Sequence, residues 1–267
     1  ERQFEIPLVG ASFLLSTPPQ DILSVTIQLT EQQRVKAISS SGTPGGDGVA
    51  NAIIVEPNST EDLIGNKNTE QIFDPMFESA DVILPIVEAA KIDLNDGTVI
   101  INVSETVDLT PASSKLNLSL FHFANVTRGN EINLQGATVI EQDALQILLT
   151  LTEEQRIRAI EISQDIERGG DGIVQTLEVL PNALLDIGQN GNLDQIGIPV
   201  TEVPDVTIPL ILNVSLNYSQ GLLVFTANEY IDSTPSTKID VSKLILRQYE
   251  EESDVRDIYV DSPLSIL

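Results

Sequence analysis

The sequence matches itself at a spacing of about 124 residues. This constrains the fold more than any local motif, because a repeated unit must bury the same apolar face with the same order of elements each time. Pro85, Gly97, Glu105, Asp108 and Pro111 are matched by Pro209, Gly221, Glu229, Asp232 and Pro235. Leu29-Thr30-Glu31 with Gln33-Arg34 is matched by Leu151-Thr152-Glu153 with Gln155-Arg156, and Gly46-Asp47-Gly48 by Gly170-Asp171-Gly172. The matches divide the chain out of frame: 1–77 corresponds to the back half of a unit, 82–203 to a complete unit and 206–267 to a front half. Ile6, Leu8 and Gly10 match Ile132, Leu134 and Gly136, which in turn match Ile258, Val260 and Ser262, so the two ends overlap slightly.

Within 82–203 apolar residues alternate with other residues, as at Val99, Ile101 and Val103 or Leu145, Ile147 and Leu149. A period of two puts alternate side chains on one face, which predicts half-buried strands. Asn95-Asp96-Gly97 and its counterpart Ser219-Gln220-Gly221 fall between strands at hairpin spacing. A unit with about seven short strands and polar turns is expected to be all-β, here as tandem immunoglobulin-like β-sandwich repeats.

Each back half also carries one short helix. Thr30 with Gln33, and Thr152 with Gln155, have the spacing of a capping box, in which hydroxyl and amide satisfy the unpaired N–H groups of the first turn. Val35 with Ile38, and Ile157 with Ile160, then predict an apolar stripe facing the sandwich.

Three segments together resemble a known family: Ile92-Asp93-Leu94-Asn95-Asp96-Gly97-Thr98 leading to Glu105-Thr106-Val107-Asp108, then Leu151-Thr152-Glu153-Glu154-Gln155-Arg156, then the Asp-x-x-x-Asn turns formed by Asp186 with Asn190 and Asp62 with Asn66. They are similar to the Ig-like repeats of very large secreted microbial and algal surface proteins. The resemblance covers nearly the whole chain and implies long tandem arrays in adhesins, surface layers or extracellular fibres, outside the cell or at its surface. The departure is the frame, since array fragments are not expected to begin and end in mid-unit. Glu1 in place of Met fits a matured product or an excerpt of something longer.

Composition removes several classes of function. Without Cys there is no disulfide framework, thiolate metal site or Cys nucleophile, and a single His removes mechanisms needing two. A formal charge of -26 opposes phosphate backbones, so nucleic acid is not an expected partner. At 41% hydrophobic residues the chain still builds a core, and the acidity coats it. No apolar run reaches the length needed to span a bilayer.

The acidic motifs each have a plain reading beside a chemical one. Gly45-Gly46-Asp47-Gly48 and Gly169-Gly170-Asp171-Gly172 follow a helix, precede an apolar run and lack Lys, which suits a tight turn and not a phosphate loop. Calcium is the alternative there, and again at Asp186, Asn190, Asn192 and Asp194 or at Asp93, Asn95 and Asp96, although neither run has the full calcium-loop pattern. Asp108-Leu109-Thr110 and Asp232-Ser233-Thr234 lack the Gly of an aspartic-protease turn and read as landmarks of the repeat. Glycosidase chemistry would need a marked carboxylate pair, and none stands out. His122 reads as an ordinary strand side chain, and Glu250, Glu251, Glu252 and Asp254 as a solvated turn. No catalytic residue, resident cofactor or metal set is therefore assigned, and the chain is not expected to be an enzyme.

Six Asn-x-Ser/Thr acceptor motifs are a stronger signal: Asn58, Asn102, Asn117, Asn125, Asn213 and Asn217. The Asn, Ser and Thr content gives about two to three by chance, so N-linked glycans are expected partners. Leu212, Val214, Leu216 and Tyr218 alternate inward and turn Asn213 and Asn217 outward.

The expected function is a structural subunit of an extracellular glycosylated filament or coat, polymerising head to tail when 206–267 of one copy completes the half-unit 1–77 of the next. A stretch of a long tandem-repeat adhesin and a calcium-dependent carbohydrate-binding module are the alternatives.

Overall fold

The computed structural model describes residues 5–14, 23–125, 131–248 and 256–259, with only the backbone given at 248 and 256–259. The acidic run from Glu250 to Asp254, the end residues Val260 and Ser262, and Val126-Thr127 of the Asn125 motif lie outside them. The chain divides into two compact units, residues 1–206 and 207–267. The stretch read as a back half and the stretch read as a complete unit thus share one compact unit.

That first unit is organised around an eight-stranded sheet that curls round its core. Its strands are β5 (Val87–Asp93), β6 (Thr98–Val107), β7 (Phe121–Ala124), β8 (Ile132–Asn133), β9 (Thr138–Val139), β10 (Ala144–Thr150), β11 (Thr176–Val179) and β12 (Gln195–Val203), in the order β8-β7-β11-β12-β5-β6-β10-β9. All pairs are antiparallel except β12 with β5. β12 makes this order: its first part, from Gln195 to Pro199, pairs with β11, and its last, from Val200 to Val203, pairs parallel with β5. One strand therefore serves two neighbours in succession along its length.

The core follows from the alternation. Ile92, Val99, Ile101, Phe121, Phe123, Ile147, Leu149, Leu177 and Val179 project to one side and are buried together with Leu94, Leu134 and Leu184. Each such side chain contributes about 1.5–3 kcal/mol relative to leaving it in water. Strand number exceeds the expected seven because β8 and β9 are two-residue strands too short to show a period. The expectation of one short helix per unit is also corrected. Besides α3 (Glu153–Glu161), the 82–203 stretch has the four-residue α2 (Ala112–Lys115), which begins after Pro111 without a side-chain cap, and two 3-10 turns, Leu118–Leu120 and Ile166–Arg168.

Both expected capping boxes are present. In α1 (Glu31–Ser39) Gln33 N donates to Thr30 Oγ1 at 3.3 Å and Thr30 N to Gln33 Oε1 at 2.9 Å; in α3 the bonds from Gln155 N to Thr152 and from Thr152 N to Gln155 measure 3.2 and 2.8 Å. The buried face is not the Ile157–Ile160 stripe. Gln155, Arg156 and Ala159 are buried, Ile160 packs beside them, and Ile157 is half-buried. The polar pair goes inward because it has partners there: Gln155 Nε2 donates to the Asn133 and Gln135 carbonyls, and Arg156 Nη1 to the Leu94 carbonyl and Asp205. Those bonds repay the desolvation of the amide and guanidinium groups.

The other strands form two-stranded antiparallel sheets. β1 (Ser12–Leu14) pairs with β2 (Thr26–Gln28), and β3 (Ile53–Val55) with β4 (Gln71–Phe73). In the second unit β13 (Ile211–Asn217) pairs with β14 (Leu222–Ala227), and β15 (Ile245–Gln248) with β16 (Arg256–Tyr259). Among the described residues these hairpins leave strand-type apolar side chains exposed. Phe13, Val25, Ile27, Ile54, Ile72 and Phe73 are exposed in the first unit; Ile211, Leu212, Val214, Val224 and Phe225 are exposed in the second. Of the residues expected to alternate inward, Leu216 is half-buried while Leu212, Val214 and Tyr218 are exposed.

Candidate functional site

Two features stand out chemically: a partly buried ionic cluster beside α1, and the surface that carries the Asn-x-Ser/Thr motifs. The cluster begins with Arg34, one turn into α1. Its Nε and Nη2 bond the Glu31 carboxylate at 2.7 and 2.8 Å, its Nη1 reaches Asp81 at 2.5 Å, and its Nη2 reaches Glu105 on β6 at 3.0 Å. Glu31 also accepts the Thr106 N–H at 2.9 Å. Asp186 closes the group, its carboxylate held by Asn190 N at 2.7 Å and Asn190 Nδ2 at 2.9 Å. One oxygen each from Asp81, Glu105 and Asp186 lies within 4.8 Å of the others.

Close packing brings these segments together. A Cβ on Gly45 would meet the Ile187 carbonyl oxygen at 1.8 Å, and one on Gly188 would meet Asp81 Cβ at 2.7 Å, so only glycine fits at either contact. Asn190 Nδ2 donates to the Asp81 carbonyl at 3.3 Å.

The electrostatics are lopsided. Burial, then the charge of Asp186, pushes Glu105 up to about 7 against the pull of Arg34. Burial likewise raises Asp186, against its bonds from Asn190. Glu31 moves the other way, down to about 2, chiefly through its bond from Arg34. Glu105 Oε1 is buried and has no hydrogen-bond partner among the described residues. Sequence reasoning did not bring the cluster together, because its members come from separate segments at positions 31, 34, 81, 105 and 186. Glu31, Arg34 and Glu105 stand in repeat motifs and Asp186 in a candidate calcium turn, but Asp81 carries no signal and nothing in the sequence joins the five.

The turn motifs fold as turns. Gly45 and Gly48, and Gly169 and Gly172, have positive φ, and Asp47 and Asp171 accept the N–H groups two residues on. Asn192 spends its side chain on Leu184 N and on the Leu180 and Leu193 carbonyls, and Asp93 and Asp96 accept backbone N–H groups of their own hairpin. Asp108 and Asp232 each accept the N–H of the threonine two residues later and pair with Lys115 and Lys238 at 3.1 and 2.5 Å, which makes them local braces. His122 is half-buried on β7, its Nε2 2.9 Å from Asn133 Nδ2.

The six acceptor asparagines differ in setting. Asn58, Asn213 and Asn217 are exposed, the first on a turn with φ of 64°. Asn117 is exposed but caps a 3-10 turn through its Oδ1, which accepts Ser119 N. Asn102 is half-buried and accepts Gln146 Nε2. Asn125 is 8% exposed, and its Nδ2 donates to Asp171, so the nitrogen that would carry a glycan is engaged in the fold.

No family model matches the chain, and no curated protein or solved structure does. Among the described residues no helix is long and apolar enough to cross a membrane.

Proposed function

We propose that the chain is a non-catalytic structural subunit of an extracellular, glycosylated filament or coat. It is built of tandem immunoglobulin-like sandwich repeats, with the β13–β16 elements of one copy completing the β1–β4 elements of another. The observation that carries this reading is the match between the uncovered hairpins and the covered ones. Phe13 faces Ile27 as Val139 faces Leu149, and Val55 faces Gln71 as Val179 faces Gln195. Val214 faces Phe225 as Ala90 faces Ile101, with a register shift between Ile211 and Asn213 where β5–β6 has one between Val87 and Ala89.

In the eight-stranded sheet, β10 is covered by β6, β11 by β7 and β12 by β5. Their counterparts β2, β3 and β4 lack that covering, and β14, β15 and β13 are its counterparts. Strand addition would pair the open edges and bury the apolar faces together. Such a contact joins different surfaces on the two copies, so it propagates into a fibre.

A second reading keeps the same complementation but takes the missing half from flanking repeats of one longer polypeptide, as in a tandem-repeat adhesin. The Arg34 bonds to Asp81 and Glu105 favour it to the extent that they tie one repeat to the next along a chain. Electron microscopy and light scattering on the purified 267-residue chain separate the two. Fibres, lost when 206–267 is deleted, support assembly between copies; a chain that remains monomeric at high concentration overturns it.

A further inference from the structure

The ionic cluster beside α1 has more negative charge than its one cation offsets. Asp81, Glu105, Asp186 and Glu31 surround the single guanidinium of Arg34. Arg34 engages Glu105 Oε2 and Asp81 Oδ2, and Asn190 holds Asp186. Glu105 is 6% exposed, yet its Oε1 has no partner among the described residues. A buried carboxylate oxygen left unpaired costs free energy unless something satisfies it. One carboxylate oxygen each from Asp81, Glu105 and Asp186 lies within 4.8 Å of the others.

We propose that Asp81, Glu105 and Asp186 form a calcium site. The donors are hard oxygens, and neither His nor Cys contributes, which points to the alkaline-earth ions and away from zinc or copper. Calcium fits better than magnesium because it accepts irregular ligand sets, whereas magnesium demands near-octahedral geometry that carboxylates already committed to Arg34 and Asn190 are poorly free to adopt. The ion gives Glu105 Oε1 its partner and lowers the repulsion between the acids, which, after burial, helps to raise the Glu105 carboxyl. It ties together the segment before β5, the strand β6 and the loop carrying Asp186, next to the point where Gly45 packs against Ile187. The inference does not depend on polymerisation.

The test is calorimetric titration of the whole chain, stripped with chelator, with calcium chloride and with magnesium chloride, together with melting curves. About one high-affinity equivalent of calcium is expected, with a rise in melting temperature of about 5 °C or more at saturating ion. Glu105→Gln keeps the side-chain shape and removes the charge; it and Asp81→Asn should each reduce calcium affinity at least tenfold. Circular dichroism of each variant reports whether it folds, and if one does not, the wild-type titration and the other variant decide. Absence of calcium uptake by the wild-type chain, or uptake unchanged in a folded variant, overturns the site. Fibre assembly followed in chelator keeps this outcome apart from the assembly reading.

Discussion

Val99 on β6 lies directly opposite Leu149 on β10, and both are buried. The internal matches set Leu223 on β14 and Ile27 on β2 in their places, and there the environment differs: Ile27 is 50% exposed and Leu223 half-buried. The same contrast holds one pair along, where Ile101 faces Ile147 in the core while their counterparts Phe225 and Val25 are 37% and 56% exposed. Full burial of such a side chain is worth about 1.5–3 kcal/mol, so covering the exposed part of each is worth about 1 kcal/mol. That is the physical drive for complementation.

Loss of the α3 cap separates local from tertiary stabilisation. Thr152→Ala removes the oxygen that accepts Gln155 N and should lower stability by about 1 kcal/mol. Gln155→Ala also leaves the Asn133 and Gln135 carbonyls without their side-chain donor, so it should cost more, about 2 kcal/mol. Urea denaturation of the two variants gives the order; a larger loss for Thr152→Ala would contradict the packing described for this helix.

The caps were legible in the sequence because they are local: four residues suffice for Thr-x-x-Gln to close its two bonds. Hairpin turns such as Asn95-Asp96-Gly97 were legible for the same reason. The buried face of α3 was not, since a 3.6-residue period marks apolar side chains and the helix turns Gln155 and Arg156 inward toward carbonyls that come from distant residues. The parallel pairing of β12 with β5 and the meeting of Asp81, Glu105 and Asp186 depend on closing long loops, and no short motif encodes them. Asn125 looked like its five sibling motifs until its burial against Asp171 set it apart.

Glycine turns should rank by space as well as by backbone. A Cβ at Gly170 would lie 2.3 Å from the Ser163 carbonyl oxygen, so the backbone must shift to admit it. Gly221 has φ of 67° but open space around it. Gly221→Ala should cost about 1 kcal/mol and Gly170→Ala at least twice that, measured by thermal unfolding.

The Glu31–Arg34 pair gives a defined acid response. Its carboxyl has a folded pKa of about 2 against an ordinary 4.5. A depressed folded value means the native state holds the carboxylate more tightly, so the stabilisation is fully present well above 4.5 and is lost as pH falls toward 2. Glu31→Gln should be less stable than the wild-type chain at pH 7, and the gap should narrow on acidification through that window. A gap that widens on acidification would contradict the ion pair.

Peptide mass spectrometry of native material should find hexosamine-bearing additions at Asn213 and Asn217 and the bare residue at Asn125. Unmodified peptides at all six motifs would remove glycosylation from the proposed function.

Strand complementation is tested most directly by covalent capture, which the absence of cysteine makes clean. If β14 covers β2 as β6 covers β10, Ile27→Cys and Leu223→Cys face each other within the reach of a disulfide. Oxidation of the double variant should give a ladder of covalent dimers, trimers and longer species on a non-reducing gel, while each single variant gives none beyond a dimer. A double variant that remains monomeric, or that closes its disulfide within one chain, would contradict assembly between copies.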